Sequence, residues 1–106
     1  MPVKNYCRLA PGTASPEESI EDAAVRMDAR GIGSLVVVDA NERPIGMLTD
    51  RDIVLSTLRR RLDAAATPVS EIMREPVVTV TAEAPIRVAI RFMRQYGVRR
   101  ILVVDN

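Results

Sequence analysis

The sequence predicts an α+β fold built from two tandem copies of one β-α-β-β-α unit, the second incomplete at its C-terminal end. Three observations carry this. The chain matches itself when shifted so that Ile20 meets Ile86. Each copy places a helix-spaced apolar stripe ahead of a short β-branched run. A composition of 47% hydrophobic and 27% charged residues is that of a globular chain.

The repeat comes first, because a missed repeat misreads a fold. At that shift Thr13, Glu17, Ile20, Ala23, Met27, Gly31, Val37, Val38 and Asp39 meet Thr79, Glu83, Ile86, Ala89, Met93, Gly97, Val103, Val104 and Asp105. Those are nine identities in the 27 positions from 13 to 39, where chance gives about two.

The elements follow in order. Gly12–Ala14 and Val77–Val80 are short extended pieces. Ile20, Ala23, Ala24 and Met27 lie at i, i+3, i+4 and i+7, one face of a helix, and Ile86, Ala89, Ile90 and Met93 repeat the pattern. Gly31 and Gly97 stand where a helix end favours positive φ. Leu35–Val38 and Ile101–Val104 are β-branched runs that favour strand. In copy one Asp39–Arg43 is a polar turn closed by Pro44, and Ile45–Thr49 completes a hairpin. A helix follows over about Asp50 to Leu62, with Val54, Leu58 and Leu62 as its apolar edge. Asp63–Thr67 links the copies, and Thr67-Pro68 opens a helical turn through Met73. The predicted modules are residues 1–66, including the N-terminal segment, and 67–106.

Composition excludes several functions. The net charge of +1 gives no overall field for nucleic acid or anionic membrane. The absence of His removes the commonest general base and metal ligand. The single Cys7 cannot form an internal disulfide, which fits a cytoplasmic home, and is read as a small buried hydrophobe. The apolar runs are far shorter than the roughly 20 residues of a membrane span, and Met1–Tyr6 lacks the apolar core of a secretory signal. With no activated nucleophile and no metal-ligand spacing, the chain reads as non-enzymatic.

The string Gly46-Met47-Leu48-Thr49-Asp50-Arg51-Asp52-Ile53, with Ser19–Ala23, Met27, Gly31, Leu35–Asp39 and their counterparts in copy two, resembles the cystathionine-beta-synthase (CBS) module. So does Val69–Met73 before the second copy. The resemblance runs from about residue 8 to 106. It implies a pseudo-twofold Bateman-type pair of modules whose clefts bind AMP, ADP, ATP or S-adenosylmethionine. It also implies a regulatory role toward an attached or partner enzyme, transporter or channel.

The candidate site begins where a strand passes into a helix. Helix N-termini suit phosphate. Thr49 can donate its hydroxyl to a phosphate, Asp52 can accept both ribose hydroxyls, and Gly46 lets a ligand approach the backbone. Thr-x-x-Asp is equally a short capping box, and both readings can hold together. The resemblance adds Ile45, Val77 and Val78 around the adenine ring, and Val98, Arg99 and Arg100 at the strand entrance, with Arg100 on phosphate. Plain core packing and solvated charge are the alternatives for these valines and arginines. Asp50 with Asp52 would hold Mg²⁺ only alongside ATP.

Two other functions compete with nucleotide sensing. One is a dimerisation module with a vestigial cleft. The other is a weak nucleic-acid binder using Arg59–Arg61, which also reads as a solvated helix end. Copy two lacks its own Gly-x-x-Thr-x-x-Asp string before Asn106, so truncation is expected, and Ile101–Val104 would lack its hairpin partner. A homodimer is expected, centred on the stripes of Ala23, Met27, Ala89 and Met93.

Overall fold

The computed structural model describes residues 1–5, 12–98 and 100–105. Among these residues lie three α-helices and two sheets, an α+β architecture as the sequence predicts. The chain packs as two compact units that do not follow chain order. The first is Pro11–Pro76, and the second combines Met1–Ala10 with Val77–Asn106.

In the first unit, β1 (Thr13–Ala14) runs parallel to β2 (Ser34–Val38), and helix α1 (Ile20–Arg30) makes the crossover. Strand β3 (Pro44–Thr49) returns antiparallel, pairing Leu35 with Leu48 and Val36 with Met47. The hairpin turn is held by Asp39, whose Oδ1 accepts from the amides of Asn41 at 2.8 Å and Arg43 at 2.9 Å. Helix α2 (Asp50–Arg60) follows directly. Ile20, Ala23 and Met27 from α1 close on Leu35, Val37 and Leu48 from the sheet, burying one apolar stripe and the inner face of two strands. Ser19 caps α1 by accepting from the Asp22 amide, and Gly31 ends it at φ 62°, a conformation that favours glycine.

The entry to α1 is fastened by an ion pair. Arg26 donates to both Glu18 carboxylate oxygens, at 2.8 and 2.9 Å, and to the Thr13 carbonyl at 2.8 Å. Burial pushes the Glu18 carboxyl up. The Arg26 hydrogen bonds, the Ser15 amide and the Arg26 charge together outweigh it and hold the group below its ordinary value.

The second unit repeats this arrangement. Strand β4 (Thr79–Thr81) pairs parallel with β5 (Leu102–Val104), and α3 (Ile86–Tyr96) crosses between them. The expected strand over Val77–Val80 starts two residues later, which is where the repeat places the counterpart of β1. Helix α3 has the same length as α1, 11 residues, and ends on Gly97 at φ 65°.

Each unit is closed by a segment from the other copy's leading end. In the first, the Val69 amide donates to the Glu18 carbonyl at 2.8 Å, Ser70 to Pro16 at 3.0 Å, and Ile20 to Thr67 at 2.9 Å. In the second, Val3 donates to Ala84 at 2.9 Å, Lys4 to Ala82 at 3.1 Å, and Ile86 to Met1 at 2.9 Å. Donors and acceptors in the two sets correspond under the same sequence shift, and Met1-Pro2-Val3 aligns with Thr67-Pro68-Val69. Val69 and Val3 are both buried, in separate cores. Pro85 gives α3 no side-chain cap, so the Met1 carbonyl takes the amide of its first residue.

Two expectations need correction. Val54 and Leu58 do not form the packed edge of α2, since they are 54% and 73% exposed. The inward face carries Asp52 and Ile53, because capping turns Asp52 toward the core and residues opposite it on the helix face outward. Of the stripe residues expected at a dimer centre, Ala23, Met27 and Ala89 are not free for a second copy, since each is buried in its own unit, and Met93 is half-buried. Among the described residues of the helices, the exposed large apolar side chains are instead Val25 on α1, Val54, Leu55 and Leu58 on α2, and Ile90 and Tyr96 on α3.

Candidate functional site

Strand β3 hands over to α2 at Thr49, which is extended at φ −114° and ψ 160°. The Thr49 Oγ1 accepts from the Asp52 amide at 3.1 Å, and Asp52 Oδ2 accepts from the Thr49 amide at 3.1 Å. The capping box is therefore complete, with Asp in the place usually held by a longer Glu. The Thr49 hydroxyl still has its own proton to donate. Asp52 is 7% exposed, a depth at which a carboxylate needs partners. Its second partner is Arg74, whose Nε donates to Oδ1 at 2.8 Å.

The amides expected to meet a phosphate are already engaged. Asp50 donates to the Gly33 carbonyl at 3.0 Å, Arg51 to Asp50 Oδ1 at 2.8 Å, and Asp52 to Thr49. The α2 N-terminus also carries two acidic side chains, Asp50 and Asp52. Its free donor for an anion is thus the Thr49 hydroxyl, and its distinctive group is the buried carboxylate.

Ile45 is half-buried against the core, and Gly46 is buried. The space a side chain would need at Gly46 is filled. A Cβ there would stand 2.8 Å from the Met73 sulfur and 3.2 Å from the Arg74 carbonyl. The glycine admits the residue 73–74 backbone, which bridges to β3: Arg74 donates to the Met47 carbonyl at 2.8 Å, and Met47 to Arg74 at 3.0 Å. Sequence reasoning did not single out Arg74. The available signal was Gly46 itself, since glycine inside a strand marks a close backbone approach.

The structure thus gathers Ile45, Gly46, Thr49, Asp50 and Asp52 at one strand-to-helix junction of the first unit. Val77, Val78, Val98 and Arg100 lie in the second unit. Val77 and Val78 are half-buried, and the Val78 carbonyl accepts from the Leu102 amide at 3.0 Å, extending the β4–β5 ladder. Val98 donates to the Met93 carbonyl at 3.0 Å behind α3, and Arg100 is exposed. Arg99 and Cys7 lie outside the described residues. A separate open groove on the first unit is lined by Ala24, Met27, Asp28, Asp50, Ile53 and Val54 among others, and it includes neither Thr49 nor Asp52. Among the described residues no three His, Cys, Asp or Glu side chains gather to hold a metal. No helix among them is long and apolar enough to cross a membrane.

Comparison with known proteins adds sequence and structural relatives. The chain is 36% identical over 104 residues to the CBS domain-containing protein YhcV of Bacillus subtilis, covering 98% of this chain and 73% of that one. It is 34% identical over 94 residues to a Methanopyrus kandleri protein, and it spans about half of that relative, 48% of its length. The CBS domain pair of protein MJ0100, solved in complex with 5′-methylthioadenosine and S-adenosyl-L-methionine, is similar with a TM-score of 0.86 at 26% identity. That match covers 100% of this chain and 82% of the other. The CBS domain family model matches residues 3–58 and again 69–106, one segment for each copy. Both copies of the duplication carry the family's pattern, and the chain belongs to the CBS domain family.

Proposed function

We propose that this chain is a non-catalytic regulatory module that binds an adenosine-containing small molecule: AMP, ADP, ATP or S-adenosylmethionine. The observation that carries the reading is the buried Asp52 carboxylate, held one helical turn behind Thr49 at the β3–α2 junction. An acceptor-only group held in this way suits a cis-diol, which offers two hydroxyl donors side by side. The MJ0100 pair, bound to two adenosine-containing ligands, supports that class. Thr49 supplies a hydroxyl donor and Ile45 an apolar contact for the adenine, while Val77, Val78, Val98, Arg99 and Arg100 are the further ligand contacts that the family resemblance implies. Arg100 is the phosphate ligand that the resemblance implies, because guanidinium binds phosphate oxygens in a bidentate fork. The test is a calorimetric series with AMP, ADP, ATP, S-adenosylmethionine and NAD. The reading expects saturable binding of at least one adenosine compound, and flat traces for all of them would reject it.

A second reading is self-assembly. Val25, Val54, Leu55 and Leu58 are exposed apolar side chains on α1 and α2, available to a second copy. Sedimentation across a dilution series checks it: a dimer should dissociate on dilution, and Leu58→Asp should shift it to the 11.7 kDa monomer.

A further inference from the structure

We propose that Arg74 is a built-in competitor for the ligand's ribose, so that its release from Asp52 is a step in binding. This rests on the reading of Asp52 as the ribose carboxylate. As the chain folds here, Arg74 Nε donates to Asp52 Oδ1 at 2.8 Å while the Thr49 amide occupies Oδ2. The two carboxylate oxygens that would receive the diol are thus each already in use. They differ in how they can be freed. The Thr49 amide is fixed by the helix cap, and breaking it would unwind the start of α2. Arg74 is held only by its side chain.

The geometry makes that side chain both well aimed and releasable. Its backbone is fixed on both sides by the two hydrogen bonds to Met47, and Gly46 makes the close approach possible. The guanidinium therefore returns to the same carboxylate whenever it is free. Yet the Arg74 side chain is 58% exposed against 7% for Asp52. A pair with one member in water is weak and screened by salt, whereas an unpartnered buried carboxylate would be costly. Arg74 thus keeps Asp52 satisfied without holding it tightly, and a diol donating two hydroxyls can replace it. The arrangement lowers affinity for any ribose ligand and makes the affinity depend on ionic strength.

The test uses adenosine, which is uncharged and so has little salt dependence of its own. Wild-type protein and Arg74→Met, which keeps a long side chain without the charge, are titrated by calorimetry at low and high salt, and thermal melts establish that both fold. The expected result is that Arg74→Met binds adenosine roughly two- to fivefold tighter at low salt, the range set by the weakness of exposed pairs. Wild-type affinity should rise with salt toward that of the variant, which should itself stay flat. A purely structural role for Arg74 would move affinity the other way, because losing a support weakens a site. Equal or weaker adenosine binding by the variant overturns the competitor role while leaving the ribose reading standing. So does a wild-type affinity that ignores salt, a result that needs no variant. If neither protein binds adenosine, AMP, ADP, ATP or S-adenosylmethionine under any condition, both the competitor and the ribose reading fall.

Discussion

Both oxygens of the Asp52 carboxylate accept a hydrogen bond, one from a backbone amide and one from a guanidinium, where little water reaches them. Hydrogen bonds to a charged group are worth about 1.5–3 kcal/mol. If such bonds are lent to a ribose, Asp52→Ala weakens adenosine-nucleotide affinity by about 10- to 100-fold, measured by calorimetry on protein shown by circular dichroism to be folded. Unchanged affinity would leave Asp52 as a helix cap alone. Glu18 gives a prediction of a different kind. Its carboxyl is held below the ordinary value in the fold by Arg26 and the Ser15 amide, against the effect of burial. A carboxylate with a depressed folded pKa contributes stability that is present above its unfolded value and lost as pH falls through the folded one. Denaturant midpoints should therefore show wild type more stable than Glu18→Gln at neutral pH, with the gap closing below pH 4.5, the ordinary value for this group.

At the scale of elements, α2 is the informative case. Its cap joins the strand to the helix, so Thr49→Ala should cost about 0.5–2 kcal/mol of stability. Leu35→Ala in the core should cost about 2–5 kcal/mol, whereas Leu58→Ser on the outer face of α2 should change stability by no more than about 0.5 kcal/mol. Urea unfolding of the three variants checks the ranking. That ranking could not be read from the sequence, where Val54 and Leu58 have the spacing of a buried edge. Periodicity locates a helix and its stripes but does not say which stripe faces in when a capping carboxylate also turns toward the core. Helices α1 and α3 were legible because a single apolar stripe and a terminal glycine agree at both repeats. The candidate site was legible at Thr49 and Asp52, whose spacing is local. Arg74 was not, because it reaches Asp52 from 22 residues away, and no local pattern carries that distance.

At the scale of the whole molecule, the duplication extends further than positions 13–39 suggest. Met1-Pro2-Val3 and Thr67-Pro68-Val69 make the same hydrogen bonds, each segment to the unit built mainly from the other copy. Val3 is 3% exposed and packs with Val80 and Ala89, so a residue close to the start of the chain belongs to a core assembled close to its end. Val3→Ala should cost about 1.5–3 kcal/mol, from lost methyl burial and the cavity it leaves. The loss should be local. Amide hydrogen exchange should quicken across α3, with Ile86 foremost because Met1 accepts its hydrogen bond, while α1 keeps its protection. Equal quickening in both helices would mean that the two units unfold as one.

The exchange of leading segments also imposes an order on synthesis. Residues 12–76, which supply the described part of the first unit, are continuous, so that unit can close while later residues are still being made. Residues 1–5 leave the ribosome before any of this, yet Val80, Ala89 and the α3 amide they must meet emerge only after the first unit is complete. During that interval Val3 has no apolar surface of its own unit to cover it. Val3 therefore stays without its native partners until Val80 and Ala89 have been made.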